Sequence, residues 1–584
     1  MEKIRNILRE ILGEVFDVET EVEVSVAPEL ENAGEFRADY ATNVAMKISG
    51  VLAKKTGEKK NPREVAEVLR KEFLEEIEKD TELKGTKVEV AGPGFLNFML
   101  PDEYFEKKIG EFSEKEEDFL ENISRDEYSG KKVVTEFSDP NPFKVLHIGH
   151  LYTSVVGESI SRLVELAGGE VHRVNFGGDV GLHVAKTLFV LLRGSAEADG
   201  FSIEDIAKAY VEGTRLYEED EEAKRQIVEL NKKIYEISEM GEGNIGELSE
   251  SDQRIADLYF SGRKLSYEYF EEFYQRIGVK FEKFYPESTV ADLGLTEVKE
   301  HTPEVYEESD GAVVFKGEKY GLHTRVFINK EGLPTYEAKD VGLLFRKWAD
   351  YEFDESVVIT GNDIIEYMKV VLKSVEQYAP ELVQRTKHLT HGNVKLPGAV
   401  KMSSRKGNFI KAVDVLDEVR SSMKNSAPEA VEATKDVLAL AALKYSFLKY
   451  RVGGDIEFDV KESVSLTGNS GPYLQYSAVR AKKILGVESK AEQKQGWELN
   501  NFEVGICKKI VQYREVLGEA VRELAPHIVC NYLFELAQEF SRFYENCKVN
   551  GGEFEVERRK IVLAFLRVME SGLKLLGIEV PEEM

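Results

Sequence analysis

The sequence predicts a mixed α/β protein of several domains. A doubly wound parallel sheet carries a helical insertion, follows a small α+β unit and precedes an all-α region. Three observations predict this. Residues 131–177 read as strand, turn-rich loop, helix and strand. Residues 200–285 are almost continuously helix-forming and acidic. From residue 416 onward, apolar residues recur at helical spacing. A chain of 584 residues is also too long for one core, so roughly three or four domains are expected.

The expected divisions are residues 1–105, a linker at 106–130, the doubly wound domain at 131–415 with its insertion at about 200–285, and the helical domain at 416–584. In the first, residues 37–55 have apolar positions at every third or fourth residue and predict a helix. Asn61 and Pro62 open another, as cap and first-turn residue. Residues 87–90 and 96–100 predict strands around the turn AGPGF. The doubly wound domain starts with the β-branched run KKVVTEF and the loop SDPNPF. A helix at 151–166 follows, stopped by Gly168 and Gly169. Next comes the strand VHRVNF, closed by GGD. Strand and helix patterns return between residues 311 and 415, and the C-terminal region predicts helices at 436–450, 474–485, 501–523 and 529–544.

Composition narrows the class. The formal net charge is -29, which argues against broad adhesion to nucleic acid but leaves room for one focused basic track. The acidic runs near residues 114–118 and 218–222 read as solvated faces. Three widely spaced cysteines suit reduced thiols, and nine scattered histidines form no metal-ligand pattern, so no tightly bound metal is expected. There is no apolar run of ~18 residues and no leader pattern. A cytoplasmic, membrane-free protein is expected.

The stretch KVLHIGHL carries chemistry. His147 and His150 sit where the loop after the first parallel strand becomes a helix. Ligands bind at that edge of an open α/β sheet, and a helix N-terminus suits phosphate. Residues three apart share a helix face, so both imidazoles can address one ligand. Gly149 would leave room for a nucleotide, and Lys144 adds a mobile cation. About 250 residues on, KMSSRKGN reads as a flexible basic loop suited to charge developing on phosphate. Tyr336 and Asp340 are four apart, on one face if helical. By spacing alone they are an ordinary exposed pair, and an isolated HxGH is common by chance.

Together and in this order, HIGH and KMSSRKGN resemble the paired signatures of class I aminoacyl-tRNA synthetases. Ser404 departs from the usual KMSKS, and Lys144, before HIGH, stands where the arginyl family compensates. EFSDPNPFKVLHIGHL, NFGGDVG, EGLPTYEAKD, GNSGPYLQYSAVR, ADYATNVAM and AGPGFLNF are similar to arginyl-tRNA synthetases over nearly the whole chain. Val180 replaces their usual tryptophan.

The resemblance implies a Rossmann-like catalytic domain, an N-terminal domain that meets the tRNA elbow and an anticodon-binding helical domain. It implies an arginine–tRNA ligase, expected to be a monomer, that uses ATP with Mg²⁺, L-arginine and tRNA(Arg), with the first step needing bound tRNA. Lys144, His147, His150, Lys401 and Lys406 are the implied catalytic residues. His147, Gly149, His150, Met402 and Ser403 are implied to bind ATP. Glu136, Asn141, Tyr336, Asp340 and Asp363 are implied for arginine. Ile364 and Val370 occupy positions where many relatives carry glutamine, so Asp363 or Tyr367 would contribute instead. Phe95, Asn97, Tyr473, Tyr476, Arg480 and Met584 fall on tRNA-side positions.

Three rival readings fit the sequence less well. A synthetase for lysine or glutamate fits poorly with the Tyr336/Asp340 pair and the N-terminal domain. A non-catalytic tRNA-binding paralogue fits poorly with an intact HIGH and with Lys401 and Lys406. A small nucleotidyltransferase would not need about 170 residues of C-terminal helices.

Overall fold

The structure is a computed structural model that describes residues 1–27, 37–57, 60–114, 127–194, 200–397, 410–494 and 496–584. Two compact units divide the chain. One comprises Met1–Glu121, Arg480–Val516 and Glu535–Met569; the other comprises Asn122–Val479, Leu517–Phe534 and Glu570–Met584.

In the first unit a four-stranded antiparallel sheet runs in the order Ser25–Val26, Tyr40–Thr42, Phe95–Met99, Lys87–Ala91. The helix expected over 37–55 starts only at Val44. Tyr40, Ala41 and Thr42 instead pair with Phe98, Asn97 and Leu96 on one side, and Tyr40 and Ala41 with Val26 and Ser25 on the other, so that all three residues are buried with their backbone groups in the sheet. The next helix, Pro62–Ile77, begins as expected, with the Asn61 side chain accepting from Arg63 N at 3.0 Å. Its apolar face buries Phe73 against Phe98.

The second unit is built on five parallel strands: β1 (Lys132–Glu136), β2 (Glu170–Gly177), β3 (Lys283–Pro286), β4 (Glu355–Gly361) and β5 (Thr386–His391). Their order is β3-β2-β1-β4-β5, the doubly wound arrangement. Val133, Val134, Val357 and Ile359 are fully buried, as strands covered on both faces require. The order reverses between β1 and β4, and that crevice is where ligands of such sheets bind.

Helix α1 (Ile148–Leu166) follows β1 and is buried on almost every side, since it packs on the sheet and on the helices Ala412–Ser426 and Glu432–Leu448. A Cβ on Gly157 would lie 2.2 Å from Phe137 Cγ, so only glycine lets α1 approach the end of β1 this closely.

After β2 come α2 (Leu182–Arg193) and three insertion helices: α3 (Ile203–Glu219), α4 (Glu221–Met240) and α5 (Glu250–Ile277). Beyond β3 lie α6 (Ala291–Glu300), α7 (Tyr336–Tyr351) and α8 (Ile365–Glu376). Between α6 and α7 stands a small antiparallel sheet of Glu307–Ser309, Ala312–Phe315 and Arg325–Ile328 that periodicity did not separate from the main sheet. The expected division at 415/416 falls inside the helix Ala412–Ser426. The later helices are Gly471–Gly486, Asn501–Glu523, Pro526–Asn546 and Glu555–Leu575. No described helix is long and apolar enough to cross a membrane.

Candidate active site

His147 is the N-cap of α1, so the helix begins at HIGH and not at Leu151. Its Nδ1 accepts from Gly149 N at 3.1 Å, and His150 Nδ1 accepts from His147 N at 3.1 Å. The rings stack with centroids 3.8 Å apart. With both Nδ1 atoms accepting, each neutral ring carries its proton on Nε2. Burial, then the Lys144 charge, pushes His147 down to about 4. Burial first, then electrostatic coupling to His147 and Lys144, pushes His150 well below its usual range. Near neutral pH the pair is therefore two neutral Nε2–H donors. A Cβ on Gly149 would lie 2.8 Å from His147 Cε1. The absence of a side chain at Gly149 thus also leaves room for the His147 ring that caps the helix.

The loop between β1 and α1 is shaped by left-handed backbone at Ser138 (φ 74), Asp139 (φ 49) and Phe143 (φ 64). Asn141 Oδ1 accepts from Gly178 N at 2.8 Å, and Asp139 Oδ1 from Phe176 N at 2.9 Å. The glycines of NFGGDVG make this possible. A Cβ would lie 2.6 Å from Pro140 O at Gly177, and 2.5 Å from Asn141 Oδ1 at Gly178. Buried Asp179 is a hub that accepts from Ser288 N and Oγ, Tyr259 and Arg263. Val180, in the place of the family tryptophan, is fully buried.

Beyond this loop stands a concentration of carboxyls. Glu136 ends β1 and is ion-paired with Lys347, so its carboxylate is already engaged. Glu287 binds Lys339 at 2.6 Å, both only 3% exposed. Glu337 pairs with Arg325 at 3.2 Å. Asp340 differs: Tyr367 donates to it, and among the described residues no lysine or arginine pairs with it. Burial pushes its carboxyl up to about 8, opposed by the Tyr367 hydrogen bond and reinforced by Glu136, Glu287 and Glu337. Burial and Glu136 also push Asp139 well up. Tyr336 and Asp340 share the first turns of α7 as the spacing predicted, with Tyr336 52% exposed. The Lys339 ammonium lies 5.3 Å from the ring centroids of both Tyr336 and Tyr235.

Asp363, expected near the guanidinium, lies in the short 3-10 turn Asn362–Ile364, and its charge is felt at His147 and His391. Val370 is fully buried, so its side chain cannot replace a substrate-facing glutamine. Lys401, Met402, Ser403, Ser404 and Lys406 lie outside the described residues. The residue that follows them is fixed: Ile410 O accepts from Ile148 N at 3.0 Å, and Ala412 N donates to Leu146 O at 2.9 Å.

The family model for "tRNA synthetases class I (R), catalytic domain" matches residues 119–460, more than half of the chain. The chain belongs to the class I arginyl-tRNA synthetases. Models of the "Arginyl tRNA synthetase N terminal domain" and the "DALR anticodon binding domain" match residues 2–100 and 474–584 of the synthetase. The arginine–tRNA ligase of Clostridium perfringens is 28% identical over 98% of this chain and 97% of its own. That of Borrelia garinii is 29% identical over 84% and 86%. The arginyl-tRNA synthetases of Thermus thermophilus (TM-score 0.73, 24% identity, 100% of both chains) and Plasmodium falciparum (TM-score 0.76, 18% identity, 100% of this chain and 99% of that one) share the fold.

On the expected tRNA side of the synthetase, Phe95 and Asn97 project from one face of their strand while Leu96 and Phe98 fill the core from the other. Phe95 is left 39% exposed. Tyr473, Tyr476 and Arg480 lie on the helix Gly471–Gly486 at spacings of three and four, along one face. Tyr473 packs edge-on to Phe534 at 5.9 Å, and Arg480 lies over Tyr544 at 5.1 Å. Met584 is half-buried.

Sequence reasoning missed the Glu136–Lys347 and Glu287–Lys339 pairs, because each joins residues 52 or 211 positions apart. It also missed His183, whose Nε2 bonds Gly178 O at 2.6 Å beside the NFGGDVG turn. Among the described residues no three His, Cys, Asp or Glu side chains group as a metal site.

Proposed function

We propose that this arginine–tRNA ligase works by placing a guanidinium against Asp340 and a triphosphate against HIGH, with the arginine carboxylate between them. A carboxylate oxygen attacks the α-phosphorus and the bond to the bridging oxygen breaks. Pyrophosphate leaves with the Mg²⁺ that entered on ATP. His147 and His150 donate from Nε2 to the phosphoryl oxygens, and Lys144, Lys401 and Lys406 offset the developing negative charge. Gly149 acts through the His147 ring. Met402 and Ser403 contribute to binding the ATP.

Asn141 orients the α-amino group, and Glu136 acts behind it as the internal counter-ion of Lys347. Tyr336 covers the guanidinium, which Asp340 and Tyr367 bind. Asp363 belongs to the nucleotide side. A tRNA 3′ hydroxyl then attacks the arginyl-adenylate carbonyl and AMP leaves. Phe95, Asn97, Tyr473, Tyr476, Arg480 and Met584 hold that tRNA. No side chain becomes a covalent nucleophile; positioning and fixed charge do the work.

One observation carries this reading. Asp340 is a carboxyl raised to about 8 beside Glu136, Glu287 and Glu337, each of which is paired with a lysine or arginine, whereas among the described residues none pairs with Asp340. An arginine side chain supplies what is missing, with fork geometry that lysine lacks. The sign follows. Guanidinium binds the ionised form, so below pH 8 binding must expel a proton. In tRNA charging assays, the KM for arginine should fall by up to about tenfold per unit from pH 6 to 8 and level off above. The KM for ATP should not follow, because His147, at about 4, is neutral throughout. An arginine KM flat from pH 6 to 8 would overturn the assignment of Asp340.

A further inference from the structure

The insertion α3–α5 grips the loop that carries Lys144. Phe143 N donates to Ser266 Oγ of α5 at 3.0 Å, and the Phe143 ring stacks on Tyr259 with centroids 6.2 Å apart. A Cβ on Gly262 would lie 2.4 Å from Phe143 Cε1, so α5 is pressed against the residue before Lys144. At the loop's start, Ser138 Oγ lies 2.8 Å from Tyr274 OH, also of α5.

From α3, the Tyr210 ring faces the Lys144 ammonium at 5.1 Å. Tyr210 is itself held in place. Three residues on, a Cβ on Gly213 would lie 2.1 Å from Lys186 O, so α3 is seated directly on the backbone of α2. Lys186 in turn lies 4.4 Å from the Tyr217 ring centroid of α3.

Resting on the reading above, we infer that Tyr210 is a positioning residue that fixes the Lys144 ammonium beside HIGH, and that this is the insertion's contribution to the reaction. A lysine head on a four-carbon stem is mobile, and a ring face over it narrows its range. Ser404 stands at the position of the second loop lysine, which leaves Lys144 to supply the charge that lysine would bring. The Lys144 charge already reaches His147, His150 and His183.

The test uses the full chain with tRNA. Tyr210→Ala should slow arginine-dependent ATP–pyrophosphate exchange roughly two- to thirtyfold, the range of a cation–π contact. Tyr210→Phe, which keeps the ring, should restore the rate. In a Lys144→Met background, Tyr210→Ala should cost less than about twofold more, as two residues acting through one contact require. Acetic anhydride labelling of Lys144, read by mass spectrometry, should quicken in Tyr210→Ala and not in Tyr210→Phe. An undiminished rate in Tyr210→Ala, an equal loss in the Lys144→Met background, or unchanged labelling would overturn the inference. If the unmutated protein shows no exchange, the ligase reading fails, while the labelling still decides whether Tyr210 holds Lys144.

Discussion

Asp340→Asn should raise the KM for arginine by roughly 30-fold to several thousand-fold, the 2–5 kcal/mol range for losing one partner of a buried charge pair. The KM for ATP should stay within about twofold. Asparagine keeps the size of the side chain and an oxygen for Tyr367, so what is lost is the charge. The dependence of arginine KM on pH should vanish with it. A separate consequence concerns stability. An aspartate raised from an unfolded value of about 3.9 to about 8 contributes stability that is fully present below pH ~4 and lost as pH rises through 8. Free Asp340→Asn should therefore melt above the unmutated protein at pH 9 and level with it near pH 4. A variant that charges tRNA with normal arginine KM at neutral pH would remove Asp340 from the guanidinium site.

Lys347→Met should destabilise the doubly wound unit by about 3–5 kcal/mol, the cost of stranding one charge of a buried pair. Lys347 on α7 reaches Glu136 at the end of β1 and Ser356 on β4 at 3.1 Å, and so spans the point where the strand order reverses. Its side chain is 2% exposed and that of Glu136 5%, leaving water little access to either charge. The double variant Lys347→Met/Glu136→Met should recover most of the loss, because a matched apolar pair costs far less than a lone buried carboxylate. The midpoint of urea unfolding followed by near-UV circular dichroism reads both. If Lys347→Met shifts the midpoint by less than about 0.5 kcal/mol equivalent, the pair is not what holds the crevice.

The doubly wound order could be expected because β1, α1 and β2 each carry a strong local pattern and share one turn-rich loop. The start of α1 was less legible. Sequence placed it at Leu151, since a histidine N-cap is an unusual signal, and the cap depends on Gly149 yielding its Cβ space to a ring. Residues 40–42 escape sequence reading because a three-residue strand is too short to show a periodicity of its own. Tyr336 and Asp340 were visible as a spaced pair, but what makes Asp340 unusual was not. Its environment comes from Glu136, Glu287 and Glu337, and from the lysines and the arginine that occupy those acids first. Spacing reports which residues share an element. It does not report which charges are already matched across 52 or 211 residues of chain.

The most direct measurement is ATP–pyrophosphate exchange with arginine or lysine, each with and without tRNA(Arg). Exchange is expected with arginine and not with lysine, and the arginine reaction is expected to require tRNA. Exchange with lysine would contradict the assignment of Asp340, and no exchange from folded protein supplied with both arginine and tRNA would contradict the ligase itself.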